Sequence, residues 1–413
     1  MIEHENVRLR IGWIIGMLYL LTSLLSAQNE RYTFTDFTVK DGLSHANVLS
    51  IYEDKIGSYW VGTIDGLTRI LGNEIKNYSY HYSDSTSILS NHVQFVVEDA
   101  CGQLWVSTSH GVSKYFSNTD SFVPVFVAGN LLKAFSYQLE GQHILFGGNQ
   151  AIYSYDCSVG EIKPLLLLQS SFPLSINYFK RVDKNRFLVV DNYKGVFWVD
   201  AQTGVVTRFP TIHHKTEYNQ AFIDSESHLW LAPYTKGLEC YSLEDEGKLL
   251  HHYTTDNSLL SHNSVTDVKE FGSQLWIATD GGGINILDRK SGFFQHVTHS
   301  SFDEHSISSD FIRVLFEDSF GTKWAGTVHN GLICIHEGYM KHYSSVGNCE
   351  LKGHGYRSVS SICEDQDGNV WMGIEHSGLS KYDIKEKRFT HFPYAFSGSV
   401  MSCLLYTSPS PRD

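Results

Sequence analysis

The sequence predicts an all-β fold, a β-propeller of four-stranded blades, and three observations lead to that prediction. A motif of an acidic residue, a glycine, a tryptophan and a late glycine returns along most of the 413-residue chain. Its copies follow one another at intervals of 40 to 48 residues, which is the length of a propeller blade. Between the copies, short runs alternate apolar and polar side chains and show no helical periodicity.

The clearest copy of the motif places Asp54, Gly57 and Trp60 at intervals of three residues, and a Gly-Leu pair follows. Each copy is expected to form a strand, a tight turn, a second strand, a loop, a third strand, a turn and a fourth strand. Two degenerate copies carry leucine in place of tryptophan. The anchors of the eight copies are Trp60, Trp105, Leu145, Leu188, Trp230, Trp276, Trp324 and Trp371.

The tryptophan of each copy is expected to fill the space between neighbouring blades. An indole on the second strand of a blade suits that wedge, and burying such a side chain is worth about 2 to 3 kcal/mol. Where Leu145 and Leu188 replace it, we expect a narrower or differently filled wedge.

The N-terminal region predicts an export signal and a closing strand. Residues 1–27 are typical of a cleaved signal peptide, because Arg8 and Arg10 precede an apolar run that ends before a small-residue cleavage site. A retained membrane anchor is the alternative. Residues 28–40 predict a strand that completes a blade from the far end of the array. We expect its partner to have been lost by truncation of the chain.

The repeat count predicts two arrangements for the rest of the chain. In the first, residues 41–350 form one propeller from repeats one to seven, and residues 351–402 begin a second propeller with repeat eight and a truncated ninth. In the alternative, eight repeats form a single ring. Residues 403–413 resemble a translated sequencing adapter and are predicted to be a non-native tail.

Composition excludes several classes of partner and site. The net charge of −13 without a long basic run argues against binding of nucleic acid or an anionic membrane surface. Seven scattered cysteines without a C-x-x-C pair are expected to be small core residues rather than a disulfide framework or a zinc site. The sequence leaves open whether one pair is oxidised. We predict no metal, no cofactor and no catalytic site.

The recurring acidic pairs have a structural and a functional interpretation. We expect the Asp of each pair to bind backbone amides at a hairpin turn, and the following Gly to adopt positive φ. Catalytic carboxylates or a calcium site near Asp365 are the alternatives. His45, His92 and His262 occupy similar loops, and we predict that they form hydrogen bonds between loops rather than bind a metal.

The loops between second and third strands predict a ligand site. In a propeller they emerge on one face, and here they differ most between copies while carrying polar and aromatic side chains suited to a saccharide or another polar ligand. A merely solvated face is the alternative. The candidate residues are Asp65, His110, Asn149, Tyr193, Lys194, Tyr234, Lys236, Asp280, His329 and His376.

The repeat resembles that of the two-component regulator propeller family. The residues that carry the likeness are Leu43-Ser44, Val48, Glu53-Asp54, Gly57, Trp60, Gly62-Thr63 and Gly66-Leu67. The resemblance implies a periplasmic sensor region of a histidine kinase, homodimeric in the full-length protein and attached to the inner membrane by a missing C-terminal part. Kinase activity is thus implied for the parent protein and not for these residues.

Two functions follow from these expectations. The first is sensing of an oligosaccharide or other polar small molecule in two-component signal transduction. The second is a secreted propeller enzyme such as a lyase, built on similar repeats. The missing carboxylate or histidine dyad at one locus and the family resemblance favour the sensor.

Overall fold

The predicted all-β class is confirmed by a computed structural model, which describes residues 32–212, 217–245, 247–303, 306–337, 359–365, 367–374, 378–383 and 388–392. Within these ranges the regular structure is β-strand plus one 3-10 turn at Val39–Asp41, without an α-helix. No helix of this part of the chain is long and apolar enough to span a bilayer. The predicted signal peptide and the predicted tail lie outside the described residues.

The chain divides into two compact units, Met1–Met340 and Lys341–Asp413. Seven four-stranded antiparallel sheets lie in the first unit and an eighth lies in the second. We number the sheets 1 to 8 in chain order, and each of sheets 1 to 6 and 8 uses four consecutive strands. A two-stranded hairpin, Phe126–Val127 and Asn130–Leu131, stands between sheets 2 and 3.

Sheets 1 to 4 follow the predicted order of strands. Sheet 1 comprises Val48–Glu53, Tyr59–Thr63, Gly66–Leu71 and Glu74–Tyr78. Sheet 2 comprises Val93–Glu98, Leu104–Thr108, Val112–Phe116 and Ser121–Pro124. Sheet 3 comprises Ser136–Glu140, His143–Gly147, Ala151–Asp156 and Glu161–Leu167. Sheet 4 comprises Tyr178–Arg181, Arg186–Asp191, Gly195–Asp200 and Val206–Arg208.

Sheets 5 to 8 repeat this order, except that sheet 7 takes its fourth strand from the N-terminal region. Sheet 5 comprises Tyr218–Ile223, His228–Pro233, Leu238–Ser242 and Lys248–Tyr253. Sheet 6 comprises Val265–Phe271, Gln274–Thr279, Ile284–Asp288 and Phe294–Val297. Sheet 7 comprises Ile312–Glu317, Lys323–Thr327, Leu332–Glu337 and Tyr32–Phe37. Sheet 8 comprises Val359–Glu364, Val370–Ile374, Gly378–Asp383 and Arg388–Phe392.

The N-terminal strand closes sheet 7. Tyr32–Phe37 pairs antiparallel with Leu332–Glu337, with Tyr32 opposite Glu337 and Phe37 opposite Leu332. The expectation that truncation had removed this strand's partner is therefore wrong, because the partner is the third strand of repeat seven. Sheet 7 also packs against sheet 1 through a core that includes Val48 and Leu332. The open edge that a terminal strand would leave is thereby paired.

The anchor side chains lie between neighbouring sheets of the first unit. Trp60 packs with Val96 and Tyr115 of sheet 2, and Trp105 packs with Phe146 and Tyr155 of sheet 3. At sheet 3 the smaller Leu145 meets phenylalanines of sheet 4, Phe179, Phe187 and Phe197. The predicted role of the tryptophans in filling the wedge between sheets is confirmed. Where Leu145 replaces tryptophan, the phenylalanines of sheet 4 fill that space instead.

Each acidic pair organises the hairpin between the first and second strands. Asp54 accepts the backbone N–H of Ser58 at 2.8 Å through Oδ1 and the indole N–H of Trp60 at 2.8 Å through Oδ2. Gly57 has a φ of 82°, as the turn requires. The predicted hairpin role is confirmed, and the indole bond was not foreseen. The same Asp-to-Trp bond recurs at Asp99–Trp105, Asp224–Trp230, Asp318–Trp324 and Asp365–Trp371.

A glutamate near the end of the first strand ties neighbouring sheets together at several junctions. Glu53 accepts the backbone N–H of Ser319, the residue after the turn Asp of sheet 7, at 2.6 Å. Glu98 accepts the N–H of Lys55 from sheet 1 at 2.7 Å, and Glu270 accepts the N–H of Ser225 from sheet 5 at 2.8 Å. We call this bond, from a hairpin turn to the glutamate of the next sheet, the carboxylate clasp.

Of the cysteines in the described ranges, two are joined in a disulfide and three are free, of which Cys363 is only half-buried. Cys240 and Cys334 are buried, as small core residues were expected to be. Cys101 and Cys157 form a disulfide that joins sheet 2 to sheet 3. The expectation that all cysteines are core residues is wrong for this pair. Spacing in sequence, 56 residues, could not show that two turns of neighbouring sheets place the two sulfurs together.

Candidate functional site

The loops between second and third strands share a face with the connections that join one sheet to the next. Backbone hydrogen bonds fix this arrangement, as when Gly66 donates its N–H to the carbonyl oxygen of Asn91 at 2.8 Å. The bond recurs three times around the ring. We call this side the loop face, and the side with the remaining hairpin turns the turn face. The other pairs are Gly237–Asn263, Gly283–Asp310 and Gly331–Ala46.

A buried threonine makes these loops rigid. Thr63 ends the second strand of sheet 1 and donates its hydroxyl hydrogen to the carbonyl oxygen of Gly66 at 2.9 Å. Gly66 has a φ of +115°, a backbone conformation that is unfavourable for residues with a side chain. Each such bond closes a loop of four or five residues, so the loop's variable side chains project from a fixed base. The equivalent donors are Thr108, Thr279 and Thr327.

Three of the predicted site residues are held by the neighbouring connection. Asp65 accepts the side-chain N–H of Asn91 at 2.7 Å, and Asn149 accepts the hydroxyl hydrogen of Ser175 at 3.1 Å. Lys194 donates to the carbonyl oxygen of Pro173, and its ammonium lies 3.9 Å from the carboxylate of Asp191. These side chains are at the surface but already engaged, so they shape the face more than they offer free groups.

Two aromatic residues of the predicted set are exposed on neighbouring sheets. Tyr193 of sheet 4 is 73% exposed and Tyr234 of sheet 5 is 56% exposed. Their loops are connected, because Tyr218 donates its N–H to the carbonyl oxygen of Asn192 at 2.8 Å. In the same way Tyr234 donates its N–H to the carbonyl oxygen of Glu217 at 2.8 Å. The two rings therefore project from one continuous stretch of the loop face.

The polar members near these rings are also exposed. Lys236 follows Tyr234 in its loop, and Asp280 stands in the corresponding loop of sheet 6. Both side chains lie at the surface. Aromatic surfaces with a cation and a carboxylate nearby can bind a polar ligand through stacking and hydrogen bonds. This part of the face, over sheets 4 to 6, is the strongest candidate site.

The two described histidines of the predicted set, His110 and His329, lie on different sheets. His110 lies 3.3 Å from Ser109, its neighbour in the chain, and His329 stands with its ring edge towards Phe311 at a centroid distance of 6.0 Å. His376 lies outside the described residues. The structure thus spreads these predicted residues over separate sheets, which suits recognition more than acid–base chemistry.

The loop histidines bond within their own loops. His45 accepts the backbone N–H of Asn47 at 2.9 Å, and His262 accepts that of Ser264 at 3.2 Å. The prediction of hydrogen bonds between loops is wrong for these two, because the acceptor nitrogen reaches the amide two residues on. The equivalent residue in the next connection is Ser90, which accepts the N–H of His92 at 3.3 Å. His92 is therefore not an equivalent of the other two.

Two contributors to the face were not predicted from the sequence. Asn91 ties two loops together through both its carbonyl oxygen and its side chain. Phe311 is 45% exposed beside His329. Both stand in the connections between sheets. A signal for these connections was present, a buried leucine or isoleucine five residues before the first strand of sheets 1, 2, 6 and 7: Leu43, Ile88, Leu260 and Ile307.

Comparison with known proteins agrees with the fold and the repeat. The family described as two component regulator propeller matches residues 42–65 and 354–376. A curated relative, "Histidine kinase P4" of Formosa agariphila, is 50% identical over 64 residues, which are 16% of this chain and 5% of the relative. The chain therefore spans a small part of that relative's length.

Solved structures extend the likeness over most of the chain. The extracellular domain of the putative hybrid two component system BT3049 from B. thetaiotaomicron is 22% identical, with a TM-score of 0.62, over 88% of this chain and 49% of that one. Virginiamycin B lyase from Staphylococcus aureus is 13% identical, with a TM-score of 0.52, over 74% of this chain and 99% of that one. At these identities the likeness is one of fold. This chain has a β-propeller fold, and two of its stretches, residues 42–65 and 354–376, match the two component regulator propeller family.

Proposed function

We propose that this chain is the periplasmic ligand-sensing region of a two-component sensor histidine kinase. In this proposal the loop face over sheets 4 to 6 binds an oligosaccharide or another polar small molecule. The observation that carries the proposal is the exposure of Tyr193 and Tyr234 on adjoining rigid loops. Flat aromatic rings held apart from one another present apolar faces that sugars can stack on, with polar groups at the edge.

Two further findings support the proposed location and role. The Cys101–Cys157 disulfide fits an oxidising compartment outside the cytoplasm, where such bonds persist. Extracellular domains of hybrid two-component systems share the fold. A homodimeric full-length protein that is anchored in the inner membrane belongs to the same proposal. The lyase alternative has only the fold likeness at 13% identity behind it.

Binding to the purified chain tests the ligand part of the proposal. The probes are oligosaccharide mixtures from neutral and acidic polysaccharides, and the readout is the shift in thermal midpoint followed by calorimetry. We expect at least one mixture to stabilise the protein. Replacing Tyr193 or Tyr234 by Ala should then raise the apparent Kd about tenfold, since loss of one stacking surface costs about 1.4 kcal/mol of binding free energy.

The control is Phe320→Ala. Phe320 is 86% exposed but lies in a hairpin turn on the turn face. It should leave binding unchanged. Equal losses in all three variants, or no stabilisation by any mixture, would count against the proposed site. The location is tested separately by fusing alkaline phosphatase, which is active only outside the cytoplasm, after residue 402.

A further inference from the structure

Among the described residues the carboxylate clasp joins sheets 7 to 1, 1 to 2 and 5 to 6, and the junction between sheets 2 and 3 is one of those that lack it. The clasp glutamate stands opposite the residue before the anchor, as Glu53 does with Tyr59 and Glu98 with Leu104. In sheet 3 the corresponding residue, opposite Ile144, is Leu139, which is 49% exposed. No carboxylate is therefore available there to accept an amide of the preceding turn.

The same junction has two further features. The first strands of sheets 2 and 3 contact each other less than those of the other neighbouring sheets in the first unit do. The connection between them carries its own two-stranded hairpin, Phe126–Val127 with Asn130–Leu131. Aromatic packing, such as Trp105 against Tyr155 at a centroid distance of 4.5 Å, fills the core of this junction. We call this junction the 2/3 seam.

The disulfide joins the two sides of the 2/3 seam on the turn face. Cys101 lies in the turn after Asp99, one residue beyond the position equivalent to that from which sheet 1 makes its clasp with sheet 2. Cys157 directly follows the third strand of sheet 3. The bond thus occupies the side of the seam where the clasp is missing, and it is the one disulfide among the described residues.

We propose that the Cys101–Cys157 disulfide is a redox-sensitive lock on the 2/3 seam. Cys101 is exposed, so a dithiol reductant can reach its sulfur. One thiolate of the reductant attacks that sulfur and displaces the Cys157 thiolate. The second thiol of the reductant then attacks the mixed disulfide. Two electrons and two protons pass to the protein, which gains two thiols, and the reductant becomes a disulfide.

Reduction removes the covalent link at a junction that has no clasp to replace it. The sheets on either side carry His110 and Asn149 in their loops, so loosening the seam alters how these loops are spaced. The carboxylate of Asp99 does not take over, because it already accepts the indole N–H of Trp105 and two backbone amides. The inference is independent of the proposed ligand.

Hydrogen exchange and thermal unfolding of the whole chain test the lock. Peptide mass mapping without reductant should recover Cys101 joined to Cys157. Dithiothreitol should lower the thermal midpoint by roughly 5 °C and raise deuterium uptake mainly in residues 99–103 and 125–145. The double variant Cys101→Ser with Cys157→Ser should show both changes without the reductant and should not respond to it.

Three results would overturn the lock. Free thiols at both positions in protein exported by cells would remove its basis. So would an equal response of the wild type and the double variant to dithiothreitol. Increased exchange spread evenly over all seven sheets would show a general loss of stability rather than opening of one seam. None of these measurements depends on a ligand, so failure of the proposed function leaves the result interpretable.

Discussion

Tyr59 of sheet 1 donates its hydroxyl hydrogen to Oδ2 of Asp318 in sheet 7, at 2.8 Å. The same oxygen accepts the indole N–H of Trp324 at 2.9 Å, while Oδ1 accepts the backbone N–H of Thr322 at 2.8 Å. One carboxylate therefore holds a turn, an anchor and the neighbouring sheet. This junction joins the last sheet of the first unit to its first.

Removing the Tyr59 hydroxyl should weaken this junction. A hydrogen bond to a charged, buried acceptor contributes about 1.5 to 3 kcal/mol, and Asp318 keeps its other donors in Tyr59→Phe. We expect a loss of about 1 to 2 kcal/mol in the free energy of unfolding by urea. Tyr82→Phe is the matched control, because Tyr82 is 94% exposed. A Tyr59→Phe variant as stable as this control would show that the bond contributes nothing.

The turn carboxylates should make stability depend on acid pH. Burial favours the neutral form of Asp318, but hydrogen bonds from Trp324, Tyr59 and backbone amides outweigh it and lower its pKa below 3.8. The pKa of Asp224 is lowered in the same way. The unfolded chain then binds more protons than the folded one, so this stabilisation is complete above about pH 4 and is lost as the pH falls below that value.

Thermal midpoints measured between pH 6 and pH 2.5 test whether stability falls on acidification, as these lowered pKa values predict. Asp318→Asn cannot ionise, so its midpoint should fall less steeply on acidification than that of the wild type. The difference between the two proteins should be greatest near neutral pH and shrink towards pH 2.5. Parallel curves throughout the range would show that Asp318 titrates alike in the folded and unfolded states.

Two fully buried tryptophan anchors allow the stability contributed by the indole hydrogen bond to be measured separately from that contributed by burial of the ring. Trp105 and Trp276 are both 0% exposed, but only Trp105 donates to an aspartate, while Trp276 Nε1 has no hydrogen-bond partner. Replacing either by Phe removes a similar apolar surface. Trp105→Phe also leaves the buried Asp99 without its indole donor, and it should cost about 1 to 2 kcal/mol more than Trp276→Phe. Equal losses in urea unfolding would contradict this assignment.

The sequence was sufficient for the fold because the repeat recurs at a fixed period. The anchors at Trp60, Trp105 and Trp276 lie between sheets as predicted, since a period of that length leaves few ways to bury an indole. The repeat period did not show which hydrogen bonds and disulfides join one copy of the repeat to the next. The clasp from Lys55 to Glu98 and the disulfide of Cys101 join residues that become neighbours only when sheets stack.

The sequence predicted which loops form the loop face, but it did not predict the contacts that their side chains make. Position in the repeat was enough to bring Tyr193 and Tyr234 to one face. It could not distinguish those exposed rings from Asp65 or Lys194, whose partners come from connections of irregular length. Side-chain partners in such connections depend on local backbone geometry, which a repeat alignment does not contain.

Gly66 should be far less tolerant of substitution than Gly57, although both have positive φ. At Gly57, with a φ of +82°, an added Cβ would meet nothing within 4 Å, so Gly57→Ala should cost about 1 kcal/mol of backbone strain. At Gly66, with a φ of +115°, the Cβ would lie 2.9 Å from the carbonyl oxygen of Tyr78 and 3.3 Å from Cβ of Ser44. Strain and overlap together should cost about 3 kcal/mol or more.

Urea unfolding of Gly57→Ala and Gly66→Ala measures this difference, and hydrogen exchange locates it. Because Gly66 donates its N–H to Asn91, displacement of this loop should raise exchange in residues 63–67 and 89–92, whereas Gly57→Ala should leave that region protected. If Gly66→Ala instead unfolds at the same urea concentration as Gly57→Ala, the loop can move away from Tyr78 without cost. The loop face would then be pliable, and its exposed tyrosines would not stand on a fixed base.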